Sequence, residues 1–134
     1  MGVVSKEQAL IEINEWVDFK KIAAKRRQDL QPVIENLAEL VAEGDLIVES
    51  SNHTIKQVLK FPLGENGATK ELIFKARVSG NELQSAMNGV QFNDELGKTF
   101  ARISASTGVT ANVIKKMDSE DLAVASNIAV FFTM

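Results

Sequence analysis

The chain has a single histidine, His53, and this residue is the first whose chemistry could support catalysis or metal binding. An imidazole can act as a general base or as a ligand to a transition metal. Because the sequence has no cysteine and no second histidine, carboxylates alone would have to complete a zinc or copper site. His53 also lies in a polar segment between Asn52 and Thr54, and nothing marks a serine as a nucleophile. We therefore predict no enzymatic activity, no catalytic residue, no metal and no cofactor.

Three acidic residues, Asp118, Glu120 and Asp121, form a second cluster that could hold a cation or share a proton. They stand immediately before an apolar pattern of helical spacing that begins at Leu122. Carboxylates are favoured there because they accept hydrogen bonds from the free N–H groups of a first helical turn and face its positive end. We interpret this cluster as a helix cap.

A cluster of basic residues could contact phosphate groups or an acidic partner: Lys20, Lys21, Lys25, Arg26 and Arg27. The formal net charge of −3 gives the whole protein no general attraction to nucleic acid. Acidic neighbours such as Asp18 and Asp29 partly neutralise the cluster. A solvated helix face is the simpler interpretation, and a nucleic-acid-binding regulator that uses Lys20 to Arg27 remains an alternative.

The composition is that of a globular protein, with 134 residues of which 45% are hydrophobic and 25% charged. The N-terminal segment lacks the basic start and apolar run of a secretory signal. No stretch approaches the roughly 18 uninterrupted apolar residues of a membrane-spanning helix. We expect a cytoplasmic protein that does not contact a membrane.

The N-terminal third is predicted to be helical. Ser5 and Gln8 have the spacing of a capping box, and a helix is predicted over residues 6–28. A break is expected near Leu30, because Pro32 has no N–H and fits the first turn of a second helix. This region is predicted to be a helical hairpin or one kinked helix.

The second helix carries an apolar stripe and ends at Gly44, a residue that favours a helix C-terminus. The stripe consists of Val33, Ile34, Leu37, Leu40 and Val41. It either packs against the rest of the chain or forms an interface with another subunit. We place a boundary here, between a helical extension over residues 1–44 and an α+β domain over residues 45–134.

Residues 46–78 are predicted to form a small antiparallel β-meander of two or three strands. A short β-prone run covers residues 46–48, and two further strands cover residues 54–63 and 71–78. The turn at residues 64–67 separates the last two strands, since Asn and Gly tolerate its positive φ angles. One face should be buried, formed by Ile55, Gln57, Leu59, Phe61, Leu72, Phe74 and Ala76.

The remainder of the chain is predicted to form helices that pack on this sheet. Ser79 and Glu82 have the spacing of a second capping box. Asn93 is expected to cap the next helix, which should end near Gly108. Thr110 opens a short turn, and the acidic cluster at 118–121 caps a final helix. The predicted fold class is therefore α+β.

From Ile55 onward, the order of these elements resembles the small tail assembly chaperones of long-tailed bacteriophages, in the group typified by phages Mu and P2. The first two segments that carry the likeness are the strand ending in Phe61-Pro62 with its turn at 64–67, and residues 71–83. The other two are Phe100 to Val109 and residues 114–132. The N-terminal helices lie outside the shared pattern.

The resemblance implies a protein of phage morphogenesis that is not part of the virion. Such a protein binds the apolar, helical tape measure protein, keeps it soluble in the host cytoplasm, and gives way as tail tube subunits polymerise. Families of this kind often make a longer product of the same gene by ribosomal frameshifting, and Phe131-Phe132 could be encoded by a slippery run of uridines. We also expect a homo-oligomer.

Two apolar surfaces are the predicted binding sites for this client protein. The first is the N-terminal stripe at Val33, Leu37, Leu40 and Val41, and the second is the last helix at Ile128, Phe131 and Phe132. Met87 and Met117 would suit an adaptable surface, because methionine repacks easily. The main alternative function is a structural tail or baseplate subunit that stays in the finished particle.

Overall fold

A computed structural model describes residues 4–132 of the chain. Seven α-helices are present in this range: α1 (Lys6–Lys20), α2 (Ala24–Asp29), α3 (Gln31–Glu43), α4 (Gly80–Met87), α5 (Glu95–Thr107), α6 (Ala111–Ile114) and α7 (Ser119–Ala129). The strands are β1 (Leu46–Glu49), β2 (Thr54–Leu63) and β3 (Thr69–Phe74). Short 3₁₀ turns cover Glu65–Gly67 and Val130–Phe132. This arrangement confirms the predicted α+β class, with helices before and after a small antiparallel sheet.

The prediction of one long helix over residues 6–28 is wrong in one respect, because this region forms two helices, α1 and α2. The hydroxyl of Ser5 accepts a hydrogen bond from the backbone N–H of Gln8 at 3.1 Å, so α1 begins where the capping pattern placed it. It ends before Lys21, which adopts the left-handed conformation with φ 56°. The N–H of Lys21 donates to the carbonyl of Asp18 at 3.1 Å, which closes the last turn. The chain then changes direction and enters α2.

Helices α2 and α3 meet at Leu30, where the break was expected. Pro32 lies in the first turn of α3, where a backbone N–H would have no helical partner. Gly44 ends α3 with φ 87°, a conformation that costs glycine little. Because α1 packs against α3, the N-terminal third is a helical hairpin with the short α2 in its connection.

The three strands pair in the order β1–β2–β3, and both pairs are antiparallel. Ile55 at the centre of β2 stands opposite Val48 on one side and Phe74 on the other. The strand predicted over residues 71–78 ends earlier, at Phe74. The N–H of the next residue, Lys75, donates at 2.7 Å to the carbonyl of Ser106 in α5 instead of continuing the sheet.

The prediction that Phe61 faces the core is wrong, since this ring is 50% exposed. The pairing of β2 with β3 shifts register between Val58 and Leu63, and Phe61 lies within this irregular stretch, whereas Leu59 before it and Leu63 after it are buried. The carboxylate of Asp121 holds the irregular backbone by accepting from the N–H groups of Lys60 at 3.1 Å and Phe61 at 3.0 Å.

The caps of the later helices are close to the predicted positions. The cap of α5 is Asp94 and not Asn93, because the Asp94 carboxylate accepts from the N–H of Gly97 at 2.8 Å. Asp118 caps α7 as predicted, and its carboxylate accepts from the N–H of Glu120 at 2.9 Å.

A single hydrophobic core joins the N-terminal hairpin, the inner face of the sheet and helices α5 to α7. Among the described residues, the units predicted at 1–44 and 45–134 therefore share one core. Trp16 of α1 is 1% exposed and lies against Phe131 near the end of the described chain. Within residues 4–132, no helix combines the length and apolar character needed to cross a bilayer.

A candidate protein-binding surface on α4 and α5

The predicted binding stripe on the second helix is mostly interior. Leu37 is 0% exposed and Val41 is 1% exposed, and both belong to the hydrophobic core. Val33 and Leu40 are half-buried and pack against that core. Of the two interpretations of the stripe, the structure shows packing within the chain.

The second predicted surface, at the end of the last helix, is also interior. Ile128 and Phe131 are buried, and Phe132 is half-buried. The Phe132 ring packs against those of Trp16 and Phe74. Neither this group nor the stripe presents a continuous apolar surface to solvent in the folded chain.

Large exposed hydrophobic side chains occur elsewhere: Leu10, Ile11, Val58, Phe61, Ile73, Phe92 and Leu96. Phe92 and Leu96 stand out because both follow α4 closely, Phe92 in the connection to α5 and Leu96 in the first turn of α5. None of residues 75–100 is buried, although this stretch contains an entire helix. The exposed apolar residues within this run make it a candidate binding surface.

Helix α4 is nevertheless well defined by local interactions. Ser79 accepts from the N–H of Glu82 at 3.1 Å, and the Glu82 carboxylate accepts from the N–H of Ser79 at 3.0 Å, which completes the predicted capping box. Lys75 donates to the other carboxylate oxygen of Glu82 at 2.7 Å. These contacts fix the start of α4 close to the end of β3.

The charge on Glu82 is stabilised by the same contacts. The hydrogen bond from Lys75, followed by that from the backbone of Ser79, lowers the pKa of this carboxyl group to about 2. Glu82 is fully charged at neutral pH, and its position in the first turn of α4 favours the helix. The helix is thus held by its cap and by partial burial against α5, and none of its residues is fully buried.

The apolar side of α4 consists of Leu83, Ala86 and Met87, which are all half-buried and face α5 in part. Between α4, α5 and α6 lies an open groove of about 440 Å³. Its apolar lining includes Ala86, Val90, Leu96, Phe100 and Ala111. Asp94 and Lys115 supply charges of opposite sign at the same groove. We call this feature the α4–α5 groove.

Phe92 lies in the connection between α4 and α5 and is 90% exposed. The ammonium of Lys98 stands 4.8 Å from the centroid of its ring, which is a cation–π distance. Lys98 also contacts Glu95 at 3.3 Å. The ring is therefore oriented by a charged neighbour but remains open to a partner.

The residues considered for catalysis or metal binding make contacts that stabilise the fold. His53 stacks on Phe19 with ring centroids 3.8 Å apart. Asp118 caps α7, and Asp121 is 3% exposed and bonded to the backbone of β2. Within residues 4–132, no three His, Cys, Asp or Glu side chains are grouped closely enough to hold a metal ion.

The basic cluster does not form one continuous exposed face. Lys20 is 7% exposed, and its ammonium donates to the carbonyl of Ala76. Arg27 pairs with the carboxylate of Asp18 and donates to the side chain of Asn14 at 2.9 Å. Lys20 is thus buried inside the fold, and the charge of Arg27 is neutralised by Asp18.

The α4–α5 groove was not among the predicted sites. One signal in the sequence could have indicated it: Phe92 lies in a polar segment, next to a helix with a short apolar side. The sequence did not reveal that the rest of the fold leaves this side uncovered. Comparison of the chain with family models, with curated proteins and with solved structures finds no match.

Proposed function

We propose that the protein is a non-enzymatic chaperone of phage tail assembly that binds a tape measure protein and keeps it soluble until tail tube subunits surround it. The client and its assembly pathway come from the resemblance of residues 55–132 to that family. The observation that supports a protein-binding role is the helix α4, which buries none of its residues.

The α4–α5 groove suits an amphipathic helix as its occupant. Its apolar lining offers room for side chains that recur on one helix face, as in other helix-in-groove complexes. Leu96 in the lining and Phe92 in the nearby connection add exposed apolar area, and burial of such area stabilises a complex by about 25 cal/mol per Å². A largely helical client with apolar faces meets these requirements.

A chaperone must also release its client, and the open, partly charged groove agrees with that need. Met87 lies on α4 next to the groove and does not line it, and its flexible thioether would adapt to different partner side chains. The groove is an open surface with charges at Asp94 and Lys115, and it is not a closed cavity. Such a surface favours broad, moderate affinity over a single tight fit.

The first experiment is co-expression of the chain with the tape measure protein encoded nearest to it, followed by pull-down. We expect the client to become soluble and to co-purify. An insoluble, unbound client would contradict the chaperone proposal. Mass spectrometry of purified particles is the companion test, because a subunit that stays in the virion would be abundant there and a chaperone would not.

Matched variants locate the surface. Leu96→Ser and Phe92→Ser change side chains that are 57% and 90% exposed, so the fold should tolerate them. We expect both to reduce client recovery. Ile11→Ser is the control, since Ile11 is 52% exposed on α1, which contributes no residue to the lining of the groove. An equal loss of client recovery with Ile11→Ser would contradict the assignment of the binding surface to α4 and α5. Sedimentation analysis would show whether a second copy of the chain occupies the groove instead.

A further inference from the structure

A second cavity lies on a different part of the molecule, where the turn after α1 meets the segment after β3 and the 3₁₀ turn at Val130–Phe132. Its volume is about 300 Å³. Its lining residues are Lys20, Lys21, Ile22, Ala23, Ala76, Arg77, Val78, Phe131 and Phe132. We call this cavity the basic pocket, because three of these residues are cationic and no described lining residue is acidic.

Lys20 is the most unusual member of the basic pocket. Its side chain is buried, with an exposed fraction of 7%, although lysine is almost never fully buried without a partner. The ammonium lies 3.7 Å from the centroid of the Phe132 ring and 4.7 Å from that of Trp16, and it donates to the carbonyl of Ala76. These contacts orient the amine, but none of them supplies a negative charge.

Arg77 brings a second cation to the same place. Its guanidinium lies 3.4 Å from the backbone oxygen of Lys20. Lys21 adds a third cation, on a residue whose left-handed backbone defines the turn. Within residues 4–132, none of these three side chains forms an ion pair with a carboxylate.

The charged form of Lys20 is disfavoured in this arrangement, because the amine is buried and lies near a second cation. Burial, and to a smaller extent the nearby Arg77 guanidinium, together lower the pKa of the Lys20 amine to about 7. An oxyanion between the two side chains would offset both causes, because it would attract each cation and replace lost hydration. Arginine is well suited to such a group, since its planar fork donates two parallel hydrogen bonds to a phosphate or carboxylate.

Apolar side chains also line the pocket, although most of its exposed lining surface is polar. Ile22, Val78 and Phe131 contribute carbon surface, which we call the apolar wall. The volume of the pocket lies at the lower end of the range for small-molecule sites. This volume is larger than a bare ion requires. The geometry points to a binding site for a small organic oxyanion, in which Lys20 and Arg77 hold a phosphate or carboxylate group and the apolar wall contacts an attached aromatic or aliphatic body.

Trp16 makes this proposal measurable without a label. It is the only tryptophan in the chain, and its ring contacts the amine of Lys20. A titration of the full chain would follow its fluorescence with phenyl phosphate, benzoate, inorganic phosphate and the neutral benzamide, at one ionic strength set with chloride. We expect a saturable change with phenyl phosphate or benzoate, and whichever binds more tightly identifies the preferred oxyanion. Binding of benzamide to the same extent would overturn the proposal, as would no saturable change with either anion.

Variants test the two cations. Arg77→Gln removes an exposed charge, so it should leave the fold intact, and we expect it to weaken binding of the better probe by about tenfold or more, as for a lost hydrogen bond between charged groups. Lys20→Met keeps the aliphatic stem and should weaken binding at least as much. Lys70→Gln, at an exposed lysine on β3, is the matched control and should leave binding unchanged. Unaltered binding of the probe by Arg77→Gln would overturn the assignment of this residue. Binding of inorganic phosphate as tight as that of phenyl phosphate would also overturn the proposal, because the apolar wall would then contribute nothing.

Discussion

The indole of Trp16 meets the ring of Phe131 edge to face, with centroids 5.2 Å apart and planes inclined by 72°. This contact joins the first helix to the 3₁₀ turn that follows the last helix. Both rings are almost completely buried, so the two ends of the described chain complete one core. The stability of the fold should therefore depend on residues from both ends at once.

Truncation of Phe131 should be costly. We expect Phe131→Ala to lower the free energy of unfolding by about 3–5 kcal/mol, the range for large buried aromatic residues, because it leaves a cavity beside Trp16. Urea denaturation followed by circular dichroism measures the change. Phe92→Ala makes the same chemical change at a ring that is 90% exposed, and it should alter stability by only about 0.5 kcal/mol or less. Similar effects of the two variants would contradict the core contact.

Replacement of Asp121 should destabilise the bulge in β2. Its carboxylate accepts from two backbone N–H groups, those of Lys60 and Phe61, and Asp121→Ala leaves both without this acceptor. We expect a loss of about 2–4 kcal/mol, since each buried donor without a partner costs about 1–3 kcal/mol. Hydrogen exchange at these two amides should become faster. The exposed neighbour Glu120 serves as the control through Glu120→Ala, which should leave both amides protected.

A charge at Leu37 distinguishes a core residue from an interface residue. Because Leu37 is 0% exposed, Leu37→Asp should abolish the cooperative thermal transition of the isolated chain. Circular dichroism with melting provides the measurement. Leu10→Asp places the same charge on α1 at a residue that is 40% exposed, and its transition should remain cooperative. A normal melt for Leu37→Asp, with loss only of partner binding, would return the N-terminal stripe to the list of binding surfaces.

Stability should rise with pH because of Lys20. The pKa of its amine is about 7 in the folded protein and 10.5 in the unfolded chain. Between these values the unfolded chain binds more protons, so the free energy of unfolding increases as pH rises from about 7 to about 10.5. Below that window both states are protonated, and the contribution is at its lowest. Lys20→Met should remove this slope, and parallel pH profiles for the two proteins, measured by urea denaturation, would contradict the buried amine.

The start of α4 should depend on Lys75. The pKa of Glu82 is lowered to about 2, so its contribution to stability is present above its ordinary value of 4.5 and is lost as pH falls through about 2. Lys75→Met removes the largest cause of this shift and should raise the pKa of Glu82. Carboxyl chemical shifts in an NMR titration measure it. Lys70→Met is the control, and an unchanged Glu82 titration in Lys75→Met would contradict the ion pair.

Local chemistry in the sequence was sufficient to place most elements. The capping pattern of Ser79 and Glu82, the glycine after α3 and the proline in its first turn all act within a few residues, so they predict helix ends without knowledge of the rest of the fold. Period-two alternation likewise placed Ile55 and Leu72 on the buried side of the sheet.

The errors occur where distant contacts decide the conformation. Phe61 was expected inside, but it is exposed and lies in an irregular stretch of β2 whose backbone is bonded to the carboxylate of Asp121, sixty residues away. Strand β3 ends early because Lys75 bonds to Ser106 of α5. No local pattern near these strands contains that information.

The sequence by itself determined the fold class, most of the helix caps and the apolar stripes, because these follow from backbone chemistry and side-chain periodicity. It could not determine which stripes are covered. The stripes at Leu37 and Ile128 were candidates for either core packing or partner binding, and in the tertiary structure both lie in one hydrophobic core in which α3 contacts α7. The apolar side of α4 and the cations at Lys20 and Arg77 became candidate sites only through the fold, because exposure and charge proximity depend on residues far apart in the chain.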